Sequence, residues 1–401
     1  MSADRQRLRL ALLRLFGALS APLRPSAPSA LPAQPRILLI RPDHIGDLLF
    51  ATPAIGALRE ALPEAHLVCL AGPWGQAVLQ GNPHLDEIVV CEFPGFARQP
   101  KTSWLAPYHT LWHWARQLQP ARFDLALVLR FDHWWGALLA YLAGIPLRVG
   151  YDTAECRPFL TEALTYSNPR HEVLQNLTLV QHTLSRFRPG ARTAAAVGPR
   201  SAPLEFPVQE KERQWIDRYL AEHGVSPGQD LIAIHPGSGA AVKLWRSEAW
   251  SQVADGLSER WPVHVVITGS RGELDLAWSV YAHLNAEATV AAGATTLGQL
   301  AALFQRCRLV MGTDCGPLHL AVAVGTPTVH LYGPVDAHKF GPWGDANRHV
   351  VVTSGRDCIP CNRLDYGPAE LPSHPCVREI TVEAVFSAAH RLLGQSLDAP
   401  D

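Results

Sequence analysis

The strongest constraint on this 401-residue chain is one pattern that runs twice. An apolar stretch at 36–40 (RILLI) ends in a polar turn, and a helical stretch follows at about 48–62. Further apolar stretches stand at 66–70, 87–90, 124–129 and 147–151, with a helix at 134–143. Strands this uniformly apolar suit a parallel sheet covered on both faces by crossover helices. Pro, Gly and small residues break the rhythm at 189–207, which places a domain boundary there. The pattern then restarts, with strands at 231–235, 264–268, 309–312 and 328–332. Helices at 209–223, 248–260, 297–306 and 317–324 lie between them. The expected fold class is α/β: two Rossmann-like doubly wound domains facing across a cleft, where a ligand binds. The expected bounds are 35–195 and 205–380. An N-terminal helix and Pro/Ala linker (1–34) precede them, and a C-terminal helix and tail (381–401) follow.

Composition excludes several classes. The formal net charge of -1 offers no basic field for nucleic acid. Hydrophobic residues at 47% and charged residues at 18% describe a globular chain rather than a disordered one. No run of 18 uncharged apolar residues suggests a membrane span. Cys69, Cys91, Cys156, Cys307 and Cys315 lie singly in apolar runs and read as reduced core residues. With no cleavable signal, this points to the cytoplasm. Leu8, Leu12, Leu15, Phe16 and Leu19 share one helical face, with Arg7 and Arg14 roughly opposite. That helix either lies on an anionic membrane surface, giving peripheral contact, or is a helix packed on the body or a frayed end.

Three turns carry the chemistry. Arg41-Pro42-Asp43-His44-Ile45-Gly46-Asp47 follows the first strand, where open α/β sheets place their sites. Asp47 falls near a helix start whose dipole favours its ionised form, so it can take a proton from a hydroxyl. Simple helix capping by Asp43 or Asp47 is the alternative. His235-Pro236-Gly237-Ser238-Gly239 leads to Lys243, and small residues there let backbone N–H groups approach an anion. Lys243 supplies a point charge for phosphate, or is a plain surface lysine. Met311-Gly312-Thr313-Asp314-Cys315-Gly316-Pro317-Leu318-His319 is a strand end, a turn and a helix start, which together make a diphosphate seat. Asp314 would repel a diphosphate, so it is expected to face sugar hydroxyls or cap a loop. His319 either reaches a phosphate or is packed. Both halves lack G-x-G-x-x-G, which argues against a nicotinamide dehydrogenase. Cys358, Cys361, His374 and Cys376 form a candidate zinc set, or a metal-free loop that is reduced or disulfide-linked.

These motifs, in this order over about residues 36–345, resemble glycosyltransferase family 9, typified by the ADP-heptose:lipopolysaccharide heptosyltransferases. The matching segments include RILLIRPDHIGDLLFATPAIGALREALPEAHLVCLAG, IAIHPGSGAAVKLWRSEAWSQVA and MGTDCGPLHLAVAVGTPTVHLYGPVD. The resemblance implies a GT-B fold with the donor in the C-terminal domain and the acceptor on the N-terminal one. It implies an inverting reaction without a metal or other cofactor, using a nucleotide-sugar co-substrate such as ADP-heptose. The acceptor would be a cell-envelope glycan or glycolipid, as in lipopolysaccharide core biosynthesis. By the same resemblance Asp47 is the catalytic base. Gly237, Ser238, Lys243, Glu273, Thr313, Asp314, Cys315, Gly316 and His319 surround the donor, with Glu273 near its ribose. Asp43, His44 and Arg130 lie on the acceptor side, with Asp132, His133 and Trp134 as further lining. Competing readings are a GT-B enzyme with another nucleotide sugar, such as an epimerase, and a nucleotide- or glycan-binding protein without transferase activity.

Overall fold

The structure is a computed structural model that describes residues 3–19, 28–96, 105–167, 169–187, 198 and 200–395. The chain divides into two compact units, Met1–Val197 and Gly198–Asp401.

Unit 1 contains β1 (Arg36–Arg41), β2 (His66–Ala71), β3 (Glu87–Val90), β4 (Leu125–Val128), β5 (Leu147–Tyr151) and β6 (Glu162–Leu164). They pair in parallel in the order β3-β2-β1-β4-β5-β6. Unit 2 contains β7 (Asp230–His235), β8 (Val263–Ile267), β9 (Ala288–Val290), β10 (Cys307–Thr313), β11 (Thr328–Leu331) and β12 (His349–Val352). These run parallel in the order β12-β11-β10-β7-β8-β9. Renumbered within its unit, the second sheet has the same order as the first, that of a Rossmann fold. The direction of winding reverses between β1 and β4 in one unit and between β7 and β10 in the other. A crevice opens beyond the carboxyl ends of such a strand pair.

The central strands explain their own burial. Ile37, Leu38, Leu39 and Ile40 are all 0% exposed, because helices cover both faces of β1. Cutting any of these leucines to alanine would cost about 2–5 kcal/mol. The stretch expected as one helix at 48–62 is two, Ile45–Leu49 and Thr52–Ala61. Pro53 lacks the N–H a continuing helix would need, so it opens the second helix instead. The Thr52 hydroxyl donates to the Leu49 carbonyl (2.7 Å) across the break. Asp47 therefore stands in the first turn of a five-residue helix of its own.

The N-terminal helix is Ala3–Leu19. It packs on unit 1 through buried Leu13, and its Phe16 ring meets Tyr141 edge-on at 6.2 Å. Of the Pro/Ala linker expected at 21–35, residues 21–27 lie outside the described residues. The final helix, Val382–Gln395, packs in unit 2 against the helix Ser247–Ser258 and against β10, β11 and β12. Among the described residues no helix is long and apolar enough to cross a membrane.

Candidate active site

In unit 1 the site grows from the last residue of β1. Arg41 is 1% exposed, yet it is a full guanidinium at the end of an apolar strand. Burial opposes its charge, but Asp43, Glu172 and Asp47 outweigh that and hold it protonated. Its Nε reaches Asp43 Oδ2 at 2.8 Å, and its Nη2 reaches Glu172 Oε1 at 2.9 Å and Asp47 Oδ1 at 3.5 Å. Its Nη1 donates to the Leu129 carbonyl (3.1 Å) and to Asn176 Oδ1 (3.2 Å). Arg130 adds a second cation: it binds Asp43 Oδ1 through Nη1 and Asp132 Oδ1 through Nε (2.6 Å).

Two guanidinium groups thus serve three inward carboxylates, Asp43, Glu172 and Asp47. Asp43 and Glu172 are nearly fully buried and closely held. Asp47 makes the longest contact, and 32% of its side chain reaches solvent. Burial would raise Asp43, but Arg41 and Arg130 outweigh it and keep Asp43 below the usual carboxylate range. For Asp47 the balance is reversed. Burial comes first, the Asp43 charge next and Glu172 adds to them; against the opposing pull of Arg41 they push it up to about 7. The expectation that the helix dipole keeps Asp47 well ionised is thereby corrected, because desolvation and two neighbouring carboxylates exceed a one-turn dipole. Nor is either aspartate a helix cap: the cap position is His44, and no side chain makes a cap hydrogen bond there.

His44 is exposed and stacks on Trp74, with ring centroids 4.8 Å apart. Trp74 in turn donates from Nε1 to the Asp43 carbonyl at 2.6 Å. His133, placed among the acceptor lining, is 4% exposed and packs against Phe93 and Phe96. Burial lowers it to about 3, so it is neutral and belongs to the aromatic core. Sequence reasoning passed over Glu172, Asn176 and Trp74. Glu172 and Asn176 carried a usable signal: they lie four apart on the buried stripe of the helix Glu172–Phe187, beside Val173, Leu177 and Val180.

Unit 2 builds a different site at the matching place. The Thr313 hydroxyl donates to the Gly237 carbonyl (3.1 Å), and Ser238 Oγ donates to the Asp314 carbonyl (3.2 Å). These bonds tie the turns after β7 and β10 together. At Gly237 the backbone comes close to the Glu273 carboxylate, which a Cβ there would push aside. Glu273 is itself held by the Ser270 N–H (2.7 Å). The helix Gly316–Ala323 starts beside these turns with Pro317 in its first turn. Its cap residue, Cys315, is a buried thiol pushed up to about 12 by desolvation, hence neutral. Lys243 Nζ donates to Asp314 Oδ2 at 3.0 Å, with both side chains about a tenth exposed. Asp314 therefore neither faces open sugar space nor caps a loop. It holds the lysine, which keeps two further ammonium N–H groups. Tyr332 stands against Asp314 on the far side, and burial followed by that carboxylate raises its hydroxyl well above the ordinary range. His319 is 3% exposed and packs against His330 at 5.7 Å, so it faces the core.

The zinc set does not assemble. All eight cysteines are free thiols, with Cys358 and Cys361 exposed and Cys376 buried. Cys361 Sγ lies 3.6 Å from the Tyr366 hydroxyl, and the Tyr366 ring stacks on His374 at 3.9 Å. Among the described residues no three His, Cys, Asp or Glu side chains are arranged to hold a metal ion.

Two parallel six-stranded sheets of Rossmann order, each with polar groups at its switch point, define a chain of the GT-B class. A match of residues 111–365 to the model of glycosyltransferase family 9 (heptosyltransferase) goes further. The chain belongs to that family and is a glycosyltransferase. It is 26% identical over 304 residues to lipopolysaccharide heptosyltransferase 3 of Escherichia coli, which spans 75% of this chain and 84% of the relative. Among solved structures, a family 9 glycosyl transferase from Veillonella parvula superposes with a TM-score of 0.73 at 24% identity, over 92% of this chain and all (100%) of that one. The ADP-heptose lps heptosyltransferase II of E. coli gives 0.70 at 22% identity, over 90% and 99%.

Proposed function

We propose that this protein transfers a heptose from ADP-heptose to a hydroxyl of a lipopolysaccharide-type core acceptor, with inversion and without a metal ion. The observation that carries the proposal is the excess carboxylate in unit 1. Asp47 is the one acid of its cluster that is both under-neutralised and open to solvent. A base raised towards neutrality accepts a proton more readily than an ordinary aspartate, and at about 7 it is roughly half ionised at pH 7 and about nine-tenths ionised at pH 8. The relatives are heptosyltransferases of lipopolysaccharide, and the sugar and the acceptor class are taken from them.

The reaction is one displacement. Asp47 removes the acceptor hydroxyl proton as that oxygen attacks the anomeric carbon. The bond from that carbon to the β-phosphate oxygen breaks, and ADP leaves with the electron pair. Lys243 and the N–H groups at Cys315 and Gly316 take up the charge that develops on the leaving phosphate. Asp314 aims Lys243, and Glu273, seated over Gly237, is placed to meet the donor ribose. His44 and Arg130 border the acceptor, while Asp43, expected there too, is buried and holds Arg130 in place. The donor domain in this proposal runs over 205–380 and the acceptor domain over 35–195, and the enzyme works at the cytoplasmic membrane face.

A donor panel tests the proposal. The purified protein is offered ADP-heptose, ADP-hexoses and UDP-sugars with a delipidated core acceptor, with nucleotide release and the anomeric configuration of the product as readouts. ADP-heptose should be preferred and the product inverted. Turnover of only another nucleotide sugar, or retention of configuration, would overturn the corresponding part.

A further inference from the structure

The helix Ala3–Leu19 has two apolar faces, and unit 1 uses only one of them. Leu13 and Gly17 are buried against the body. Arg9 pairs with Glu155 (3.5 Å) and lies over the Trp134 ring (5.3 Å), and seven residues on Phe16 meets Tyr141. The helix therefore runs alongside the helix Trp134–Leu142 and is fixed by folded contacts. The other face carries Leu8, Leu12, Leu15 and Leu19, which are 62%, 56%, 57% and 71% exposed. Spacings of four, three and four put them on one continuous stripe. Single exposed leucines are ordinary, but a contiguous stripe marks a contact surface.

Charge decides what covers it. Exposed Arg7 and Arg14 lie about 110–130° round the helix from the centre of the stripe on one side, and Arg9 lies about 90° away on the other. Across 3–19 there are four arginines and a single acid, Asp4. A second copy of the helix would bring Arg7 and Arg14 towards like charge, and the one acid that the helix itself carries, Asp4, together with Glu155 beside Arg9, offsets that only in part. An anionic bilayer offers negative charge along the whole length and hydrocarbon beneath it. Arginine stems beside the stripe can lie over the apolar region with their guanidinium groups at headgroup level.

We propose that Leu8, Leu12, Leu15 and Leu19 dock in the plane of an anionic bilayer surface, with Arg7 and Arg14 at its headgroups. The anchor also has a place in the site's geography. Trp134, over which Arg9 lies, follows directly on the turn that bears Arg130. The amino-terminal half of the anchoring helix thus lies towards the strand-end edge of unit 1 that carries Asp47. If the acceptor is a lipid-borne glycan, as proposed above, this brings the membrane to the acceptor side. The docking itself does not rest on that reading.

The test is vesicle flotation of the full chain, with sedimentation velocity as a second measurement. Vesicles of phosphatidylcholine with about a third phosphatidylglycerol should carry the protein, and pure phosphatidylcholine vesicles should carry about tenfold less or worse. Raised salt should weaken the binding. The double variant Leu12→Asp, Leu15→Asp changes exposed positions only. It should lose flotation while keeping wild-type turnover of a soluble acceptor fragment. Arg7→Gln with Arg14→Gln should lose the preference for the anionic lipid. The proposal is overturned if the wild type does not float, if the aspartate variant floats equally well, or if the wild type is a dimer that this variant dissolves. Flotation is read without turnover, so its failure leaves the transferase reading standing, and a failed donor panel leaves the anchor standing.

Discussion

The two units share a strand order and differ in what they put at its turning point. After β1 and β4, unit 1 gathers Arg41, Asp43, Asp47 and Arg130 and recruits Glu172 from a helix, leaving one carboxylate short of a partner. After β7 and β10, unit 2 gathers one lysine already paired with one aspartate, several glycines and a helix start. The first arrangement can move a proton. The second can receive an anion through backbone N–H groups and a partly screened ammonium. Topology supplies the location, and a handful of side chains decides the chemistry.

This contrast can be broken at its strongest point first. Asp47→Asn should lower kcat by about 10²–10⁴-fold while calorimetry shows ADP-heptose binding largely kept. Equal loss of donor binding would mean that unit 1 is not the proton-transfer half. Lys243→Ala should act the other way, weakening donor binding by about 10–100-fold, the worth of a charge-assisted hydrogen bond to phosphate. A variant that binds ADP normally would strip unit 2 of its assigned role.

The pH profile sharpens the comparison more gently. Asp47 must be ionised to act, and with its proton held up to about 7 the wild-type rate should fall as pH drops through that value. Glu172→Gln removes a repelling charge and frees Arg41 for Asp47. Both changes favour the carboxylate, so the acid limb should move to lower pH by up to about one unit. An unmoved limb would show that Glu172 merely packs. The smallest effect concerns stability. An acid whose folded pKa is raised favours the folded state at low pH, and that advantage is lost as pH rises through about 7. Asp47→Asn should therefore stabilise the protein at pH 8 relative to pH 5, by about 1 kcal/mol once its solvent exposure is discounted. Denaturant melts at the two pH values measure it.

Much of this was legible in the sequence wherever one short segment carries its own instruction. The central strands declare themselves because burial on both faces demands unbroken apolar runs, as in 37–40 and 231–234. The turns after β1, β7 and β10 are recognisable because a sharp strand-to-helix turn needs small and polar residues. Among the edge strands, β3 showed its apolar run, and so did the three valines of β12, which went unread; β6 and β9, three residues each, carry too little pattern of their own to be read without the neighbour they join.

What tertiary structure alone decided is who faces whom. Glu172 reaches Arg41 across 131 residues of chain, and Asp314 reaches Lys243 across 71. No local rule couples such positions. The same separation made Asp43 a neutralised strut and left Asp47, four residues later, with its proton affinity raised to about 7. Their side chains are chemically identical, and only the count of opposite charges and the water left around each one sets their proton affinities apart.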